Sequence, residues 1–303
     1  MGRFEGTSRS TGGNRSVNVR FFGVRGSTPC PCESNRRYGG NTACVAIEAP
    51  GCDPLVLDLG TGLRFFGETQ PQDGTFRGNA LVTHLHWDHV QGLPFLVPVN
   101  RAGAQFDVYG PREEGIGLVE AFDEFMRPPY FPVGIEALAG DIRFHDIEPG
   151  QQDIGGMRVT TANVPHIGRT FGYRVEVGGR SVVYIPDHQQ PIDGSMEVAD
   201  SVLELCRGAD LLIHDAQYTT DEFAAKPHWG HSTIEYSLRV ASEAGVARLA
   251  LFHHDPDHDD QALDQLLDEA RRHPLAAGLR EVLAAHEGLT VALEPSPAAS
   301  LRA

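Results

Sequence analysis

Positive charge is scarce in this chain of 303 residues: Lys+Arg number 25 against 41 Asp+Glu, a formal net charge of -16. A field of that sign repels polyanions, so a broad nucleic-acid surface is not expected. A small phosphorylated substrate stays open, because bound divalent cations reverse the field locally. Long apolar runs are missing as well. None approaches the length of a membrane-spanning helix and the N-terminus has no apolar signal core, so no membrane partner is expected and the cytoplasm is the default location. Cysteine is sparse and odd in number, with five residues at Cys30, Cys32, Cys44, Cys52 and Cys206. That argues for reduced thiols rather than a disulfide framework. Cys30-Pro31-Cys32 could grip a structural zinc, but no second close pair completes four ligands, and a turn with incidental thiols accounts for it. There is no internal repeat of solenoid length and no low-complexity linker between the halves.

The composition that remains is ordinary for a globular protein, 41% hydrophobic and 22% charged. Residues 1–16 are rich in Gly, Ser, Thr and Arg and read as a flexible tail; residues 17–303 read as a single domain. Alternation and β-branched content predict strands over 17–24, 43–48, 55–59, 80–83 and 106–109. The same signals return at 142–147, 157–164, 171–177, 181–185, 211–214, 247–252 and 289–293, with Gly178-Gly179 as a hairpin turn. Helical periodicity marks 116–126, 196–206, 232–244 and 261–272. After the first of these, residues 127–132 are stiff and aromatic and read as a packing connection, with a wall on the substrate side as the alternative. Each half runs through strands to a polar group and then a helix. Two sheets packed face to face, with helices outside, satisfy that order. An open doubly wound sheet would want more regular strand–helix alternation.

Chemistry concentrates in Thr83-His84-Leu85-His86-Trp87-Asp88-His89, directly after the apolar Ala80-Leu81-Val82. Residues two apart project to one side of an extended backbone, so His84 and His86 can converge on one ion at a strand end. The chain must then turn, and Asp88 and His89 face a neighbouring point. Imidazoles with a carboxylate suit zinc, manganese or iron. Further along, His166 follows a strand, with His145 as a competitor inside an alternating stretch. Asp187 ends the apolar run 182–185, where an unpartnered carboxylate would be costly. Residues 249–252 lead into His253 and His254; alternation puts His253 in phase with Leu249 and Leu251, and His254 stays open.

His84-x-His86-x-Asp88-His89 resembles the signature of the metallo-β-lactamase-fold hydrolases. The resemblance implies an αββα sandwich and two divalent metal ions, zinc first, with manganese or iron as alternatives. It implies the ligands too: His84, His86 and His166 at one ion, Asp88, His89 and His253 at the other, and Asp187 shared. Such ions lower the pKa of water to about 7 and polarise a substrate oxygen, and Asp88 would orient that water. Pro186 stands where family members often carry Gly or Ser.

A second stretch, His228-Trp229-Gly230-His231-Ser232-Thr233, is similar to a segment of ribonuclease Z and its phosphodiesterase relatives, as are 209–216 before it and Leu251-Phe252-His253 after it. That similarity implies that His231 acts at the scissile phosphate, as acid to the leaving oxygen or donor to a phosphoryl oxygen. Asp215 could orient a histidine. A plain helix-start position beside a capping Ser232 is the alternative for His231. No long Gly-rich, basic insertion like the arm that grips transfer RNA is visible. The expected function is therefore a dinuclear phosphodiesterase acting on a small or cyclic nucleotide or ribose phosphate. Arg25, Arg36, Arg37, Arg169 and Arg174 are its candidate anion contacts. A thioesterase of the glyoxalase II type or a lactonase on the same scaffold is the alternative. A redox or non-enzymatic binding module is disfavoured because His84, His86 and His89 are all present. The expected partners are a small phosphorylated substrate, no broad nucleic-acid surface and no membrane, with a homodimer left open.

Overall fold

Apolar strands need a second layer to bury them, and the computed structural model, which describes residues 16–113 and 115–294, supplies it with two seven-stranded sheets. In chain order the first strands are β1 (Val17–Gly23), β2 (Cys44–Glu48), β3 (Leu55–Leu57), β4 (Arg77–Leu81), β5 (Gln105–Pro111), β6 (Asp141–Ile147) and β7 (Gly150–Ile154). They are followed by β8 (Met157–Asn163), β9 (Phe171–Val177), β10 (Arg180–Ile185), β11 (Leu211–Asp215), β12 (Arg248–Phe252), β13 (Glu281–Ala284) and β14 (Thr290–Leu293). One sheet has the order β14-β1-β2-β3-β4-β5-β6 and the other β13-β12-β11-β10-β9-β8-β7. Strands β3 to β6 are parallel, as are β10 to β13, and the remaining pairs are antiparallel.

The main core lies between the sheets, where Val19 and Phe21 of β1 share a cluster with Val159, Tyr184 and Phe252 of the other sheet. Helices α1 (Leu63–Glu68), α2 (Trp87–Val90) and α3 (Leu118–Phe125) pack on the first sheet, with Phe66, Val90 and Phe122 against Ala80 and Val108. On the second sheet lie α4 (Asp200–Cys206), α6 (Ile234–Ala244) and α7 (Asp260–Arg272), and α5 (Thr220–Ala225) follows β11 in the chain. There Val202, Leu238 and Ala270 cover Val183, Leu212 and Leu249. Strands buried on both faces explain the near-continuous apolar runs of β10, β11 and β12. The arrangement is the expected αββα sandwich.

Three departures have local causes. β7 is largely exposed and polar, so an edge strand carried no apolar signal. Helix α4 begins at Asp200 rather than at residue 196. Helix α6 is capped by Thr233, whose hydroxyl accepts from the Tyr236 N–H at 3.1 Å, and not by Ser232. The expected tail lies outside the described residues apart from Ser16. No helix among the described residues is long and apolar enough to cross a membrane.

Parallel strands point their carboxyl ends the same way, and ligand sites of such sheets form beyond those ends. Here the segments after β3, β4, β10, β11 and β12 meet at one end of the sandwich. Phe252, the last residue of β12, is fully buried against Phe21 and Tyr184 at ring-centroid distances of 6.1 and 5.7 Å. Phe252→Ala is expected to cost about 3–5 kcal/mol and to lower the melting temperature by roughly 10 °C. Calorimetry showing no shift would mean that this core does not secure the end of β12.

Candidate metal centre

The centre is built on a buried carboxylate. Asp58, just after β3, accepts from the Thr83 N–H at 2.7 Å, from the Thr83 hydroxyl at 3.0 Å, from His89 Nδ1 at 2.7 Å and from the Tyr184 hydroxyl at 2.9 Å. Its backbone sits at φ 58, a left-handed conformation that Asp tolerates better than most residues. One side chain thus ties β3 to the end of β4, to α2 and to β10 of the opposite sheet.

Around that anchor the seven residues named from the sequence come together. His86 Nδ1 lies 2.8 Å from His84 Nε2 and 3.3 Å from His166 Nε2. Asp187 Oδ2 is 3.8 Å from His84 Nε2 and 3.6 Å from His166 Nε2. Its other oxygen is 3.1 Å from His89 Nε2 and 3.3 Å from His253 Nε2. Those two nitrogens are 3.3 and 3.1 Å from Asp88 Oδ2. Three donor groups result: His84, His86, His166 and Asp187 on one side, Asp88, His89 and His253 on the other, and Asp187, His231 and His253 overlapping both sides.

Hydrogen bonds set which ring nitrogen faces inward. His89 Nδ1 donates to Asp58, His166 Nδ1 to the Gly230 carbonyl at 2.6 Å, and His253 Nδ1 to Gln217 Oε1 at 2.9 Å. His84 Nδ1 contacts Thr83 Oγ1 at 3.0 Å; that hydroxyl gives its hydrogen to Asp58 and so accepts here. Each of these four rings then turns a lone pair on Nε2 toward the centre. His89 Nε2 and Asp187 Oδ1 are buried without a hydrogen-bond partner. A cation between them would remove that cost. Nitrogen and carboxylate donors without a thiolate fit zinc, manganese or iron.

Glycine permits two close approaches. A Cβ on Gly230, whose φ is 95, would lie 2.5 Å from His166 Cε1, and a Cβ on Gly26 would lie 2.4 Å from His253 Nδ1. His253 itself is placed by its backbone rather than by strand parity. Leu249 and Leu251 face the helices while Ala250 and Phe252 face the other sheet. At φ 57, His253 leaves that alternation and turns into the centre, and His254 Nε2 donates to the Ala285 carbonyl at 2.9 Å.

Burial opposes charge on every group here, and neighbours decide the balance. It pushes His84 well below the usual imidazole range, helped by His89, and takes His166 down to about 4. It also works against ionised Asp88 and Asp187, but the surrounding imidazoles, His89 and His253 foremost, outweigh it and hold both carboxyls well below their ordinary values. His89 is raised, against burial, by Asp88, Asp187 and Asp58. Protons and cations therefore compete for this cluster.

His231 stands at its side, with ring centroids 5.0 Å from His253 and 5.6 Å from His166. Its Nδ1 donates to Asp215 Oδ2 at 3.0 Å, which leaves Nε2 for a substrate. Asp215 also accepts from the His188 and Gln217 N–H groups, so its orientation is set by backbone. Burial lowers the proton affinity of His231, and Asp215 more than restores it, leaving a net rise.

The five arginines named as anion contacts are engaged elsewhere. Arg25 is fully buried and donates to the carbonyls of Gly39, Asp255 and His258. Arg36 pairs with Glu33, Arg37 with Asp264, Arg169 with Glu148, and Arg174 with Glu176 and two carbonyls. His145 pairs with Asp107 at 2.7 Å. Cys30 and Cys32 belong to no group of three or more close donors among the described residues. The supporting roles of Asp58, Thr83, Gln217 and the Gly230 carbonyl escaped the sequence. Only Asp58 left a signal, as a polar residue ending an apolar strand.

A family model described as a beta-lactamase superfamily domain matches residues 67–254. Ribonuclease Z of Natronomonas pharaonis is 29% identical over 289 residues, covering 78% of this chain and 87% of its own. Among solved structures, the metallo-beta-lactamase fold protein YhfI from Bacillus subtilis superposes with a TM-score of 0.69 at 20% identity, over 92% of this chain and 100% of that one. The short form of human tRNase Z gives 0.65 at 21% identity, over 90% and 98%. These relatives overturn the expectation of a small phosphorylated partner and no nucleic-acid surface. Proteins named as ribonucleases share most of this chain's length, so a net charge of -16 does not exclude nucleic acid. Net charge sums the whole surface, whereas the field at a site depends on groups within about 10 Å.

Asp58→Asn retains the shape but loses the carboxylate that orients His89. Metal affinity is expected to fall about 10–100-fold, measured by competition with a chromophoric chelator; undiminished affinity would remove Asp58 from the centre. A second expectation concerns acid. Burial lowers His188 and His214 and takes His254 down to about 3. The unfolded chain protonates these rings near pH 6.5 and the folded one does not, so their contribution is complete above that pH and is lost as pH falls below it. The urea midpoint of chelator-treated protein should drop between about pH 7.5 and about pH 5.5, and a flat profile would contradict this.

Proposed function

The chain belongs to the beta-lactamase superfamily, and on that premise we propose that it is a metal-dependent phosphodiesterase acting on a nucleic-acid phosphodiester. His84, His86 and His166 would hold one divalent ion and Asp88, His89 and His253 a second, with Asp187 offering one oxygen to each group. Zinc suits this nitrogen-rich set. Bound there, the ions would supply a water of lowered pKa and polarise a phosphoryl oxygen.

The observation that carries the reading is the His231–Asp215 pair beside the cluster. Hydrolysis breaks the ester P–O bond, joins a water oxygen to phosphorus and leaves an alkoxide that needs a proton. His231 is suited to give it: Asp215 holds Nδ1, raises the ring's proton affinity and leaves Nε2–H to donate. Asp88 is suited to take the proton of the water. Its Oδ2 is held in place by the Ser27 N–H at 2.7 Å, and its carboxyl stays ionised. Buried His166 stays neutral and does not compete as an acid.

Protein purified without chelators is expected to carry about two metal ions per chain and to hydrolyse bis(p-nitrophenyl) phosphate. His231→Ala should lower kcat by roughly 10²–10⁴-fold with the metal content retained. Absence of metal, or a fully active variant, sinks the reading. Turnover of thioesters with none of phosphodiesters would transfer the chain to the thioesterases.

A further inference from the structure

The chain contains two tryptophans, and both stand in solvent beside the proposed metal ligands. Trp87 is 67% exposed and lies between His86 and Asp88; Trp229 is 62% exposed and lies two residues before His231. Rings of this size are normally covered, and uncovered ones mark binding surfaces. Trp87 opens onto a cavity of about 320 Å³, walled also by Ile116, Phe125 and Tyr130 and edged by the carboxylates of Glu113 and Glu124. On the His231 side, the Lys226 ammonium, paired with Asp255 at 3.7 Å, lies 5.3 Å from the Trp229 ring centroid, and this is the only lysine in the chain. The turn that carries Trp229 is pinned by Gln189, which accepts from the Gly230 N–H at 2.9 Å and donates to the Pro227 carbonyl at 3.1 Å.

We infer that Trp87 and Trp229 are stacking platforms for the nucleobases on either side of the scissile phosphate of a single-stranded RNA, an inference that rests on the phosphodiesterase function proposed above. The surroundings select such a ligand. It must be flat and apolar in face to cover the indoles and carry N–H donors at its edge for Glu113 and Glu124. A nucleobase has both properties, and stacking on an aromatic ring accepts any base. Trp87 adjoins His86, whose ring centroid is 5.1 Å from that of His166, and Trp229 adjoins Gly230, whose carbonyl accepts from His166, so bases seated on the two rings would hold the joining phosphate beside the metal centre.

Indole emission reports these two positions and no other, because the chain has no third tryptophan. Metal-loaded protein titrated with a short oligoadenylate carrying hydrolysis-resistant phosphorothioate linkages is expected to show saturable quenching. An abasic ribose phosphorothioate chain of equal length and charge should leave the emission unchanged. Trp87→Phe and Trp229→Phe each remove one emitter, and the remaining one should still be quenched. Trp87→Ala and Trp229→Ala should each weaken binding about tenfold, the effect of losing one stacked base, with metal content retained. Equal quenching by the abasic chain, or none by either, overturns the inference. A deoxyadenylate strand that quenches better than the ribose strand would also overturn it, by assigning the platforms to DNA. Binding is read on an uncleaved strand, so quenching without any phosphodiester hydrolysis would retain the base platforms and reject the catalytic proposal. Cleavage without quenching would do the reverse.

Discussion

The structure of the centre depends on one buried carboxylate. Asp58 has no exposure to water and accepts from Thr83, His89 and Tyr184. A carboxylate buried without such donors would cost several kcal/mol and would take up a proton instead. With them it joins two strands of one sheet to β10 of the other at the point where the donor segments begin. His89 owes its ring orientation to Asp58 directly, and His84 owes its own to Thr83, which Asp58 holds. The sandwich core brings β3 and β10 close, and Asp58 converts that closeness into aimed nitrogens.

The rest of the cluster repeats this logic with neutral partners. Carbonyl oxygens of Gly230 and Gln217 take the outer N–H of His166 and His253, so those rings present lone pairs inward whatever the fate of nearby protons. Burial keeps His84 and His166 uncharged, while Asp88 and Asp187 stay ionised against burial because imidazoles surround them. Neutral imidazole and anionic carboxylate are the forms a cation needs; the fold favours them at these four residues, while His89, set among three carboxylates, holds a proton more tightly and would release it to a metal. His231 has a carboxylate partner instead, and its proton affinity moves the opposite way. Histidines in one cleft thereby acquire two kinds of behaviour from their neighbours alone.

Overall charge proved a poor guide to partners. Several guanidiniums that could have met an anion are taken up by the fold, most completely Arg25, whose buried head bonds three carbonyls. What stands free at the centre is the aromatic surface of Trp87 and Trp229. A nucleic acid recognised through its bases needs less cationic surface than one gripped through its backbone, which reconciles an acidic chain with ribonuclease relatives.

Much of this was legible along the chain because it is local. The spacing of His84, His86, Asp88 and His89 expresses strand geometry followed by a turn, and apolar runs buried on both faces announced β10, β11 and β12. Polar residues ending those runs, Asp187 among them, stood out against their surroundings, and the two-sheet architecture followed from their order. The amphipathic helices could be read as well, with boundaries shifted where a cap such as Thr233 intervened. The tertiary structure decided what depends on distant partners. His253 rather than His254 enters the centre through a left-handed backbone that no alternation rule contains. Asp58, Gln217 and Gly230 support rings that lie 31, 36 and 64 residues away. β7 showed no apolar pattern because little of it is buried. Periodicity records which face of a segment avoids water; orientation, proton affinity and the exposure of Trp87 and Trp229 arise only when separate segments meet.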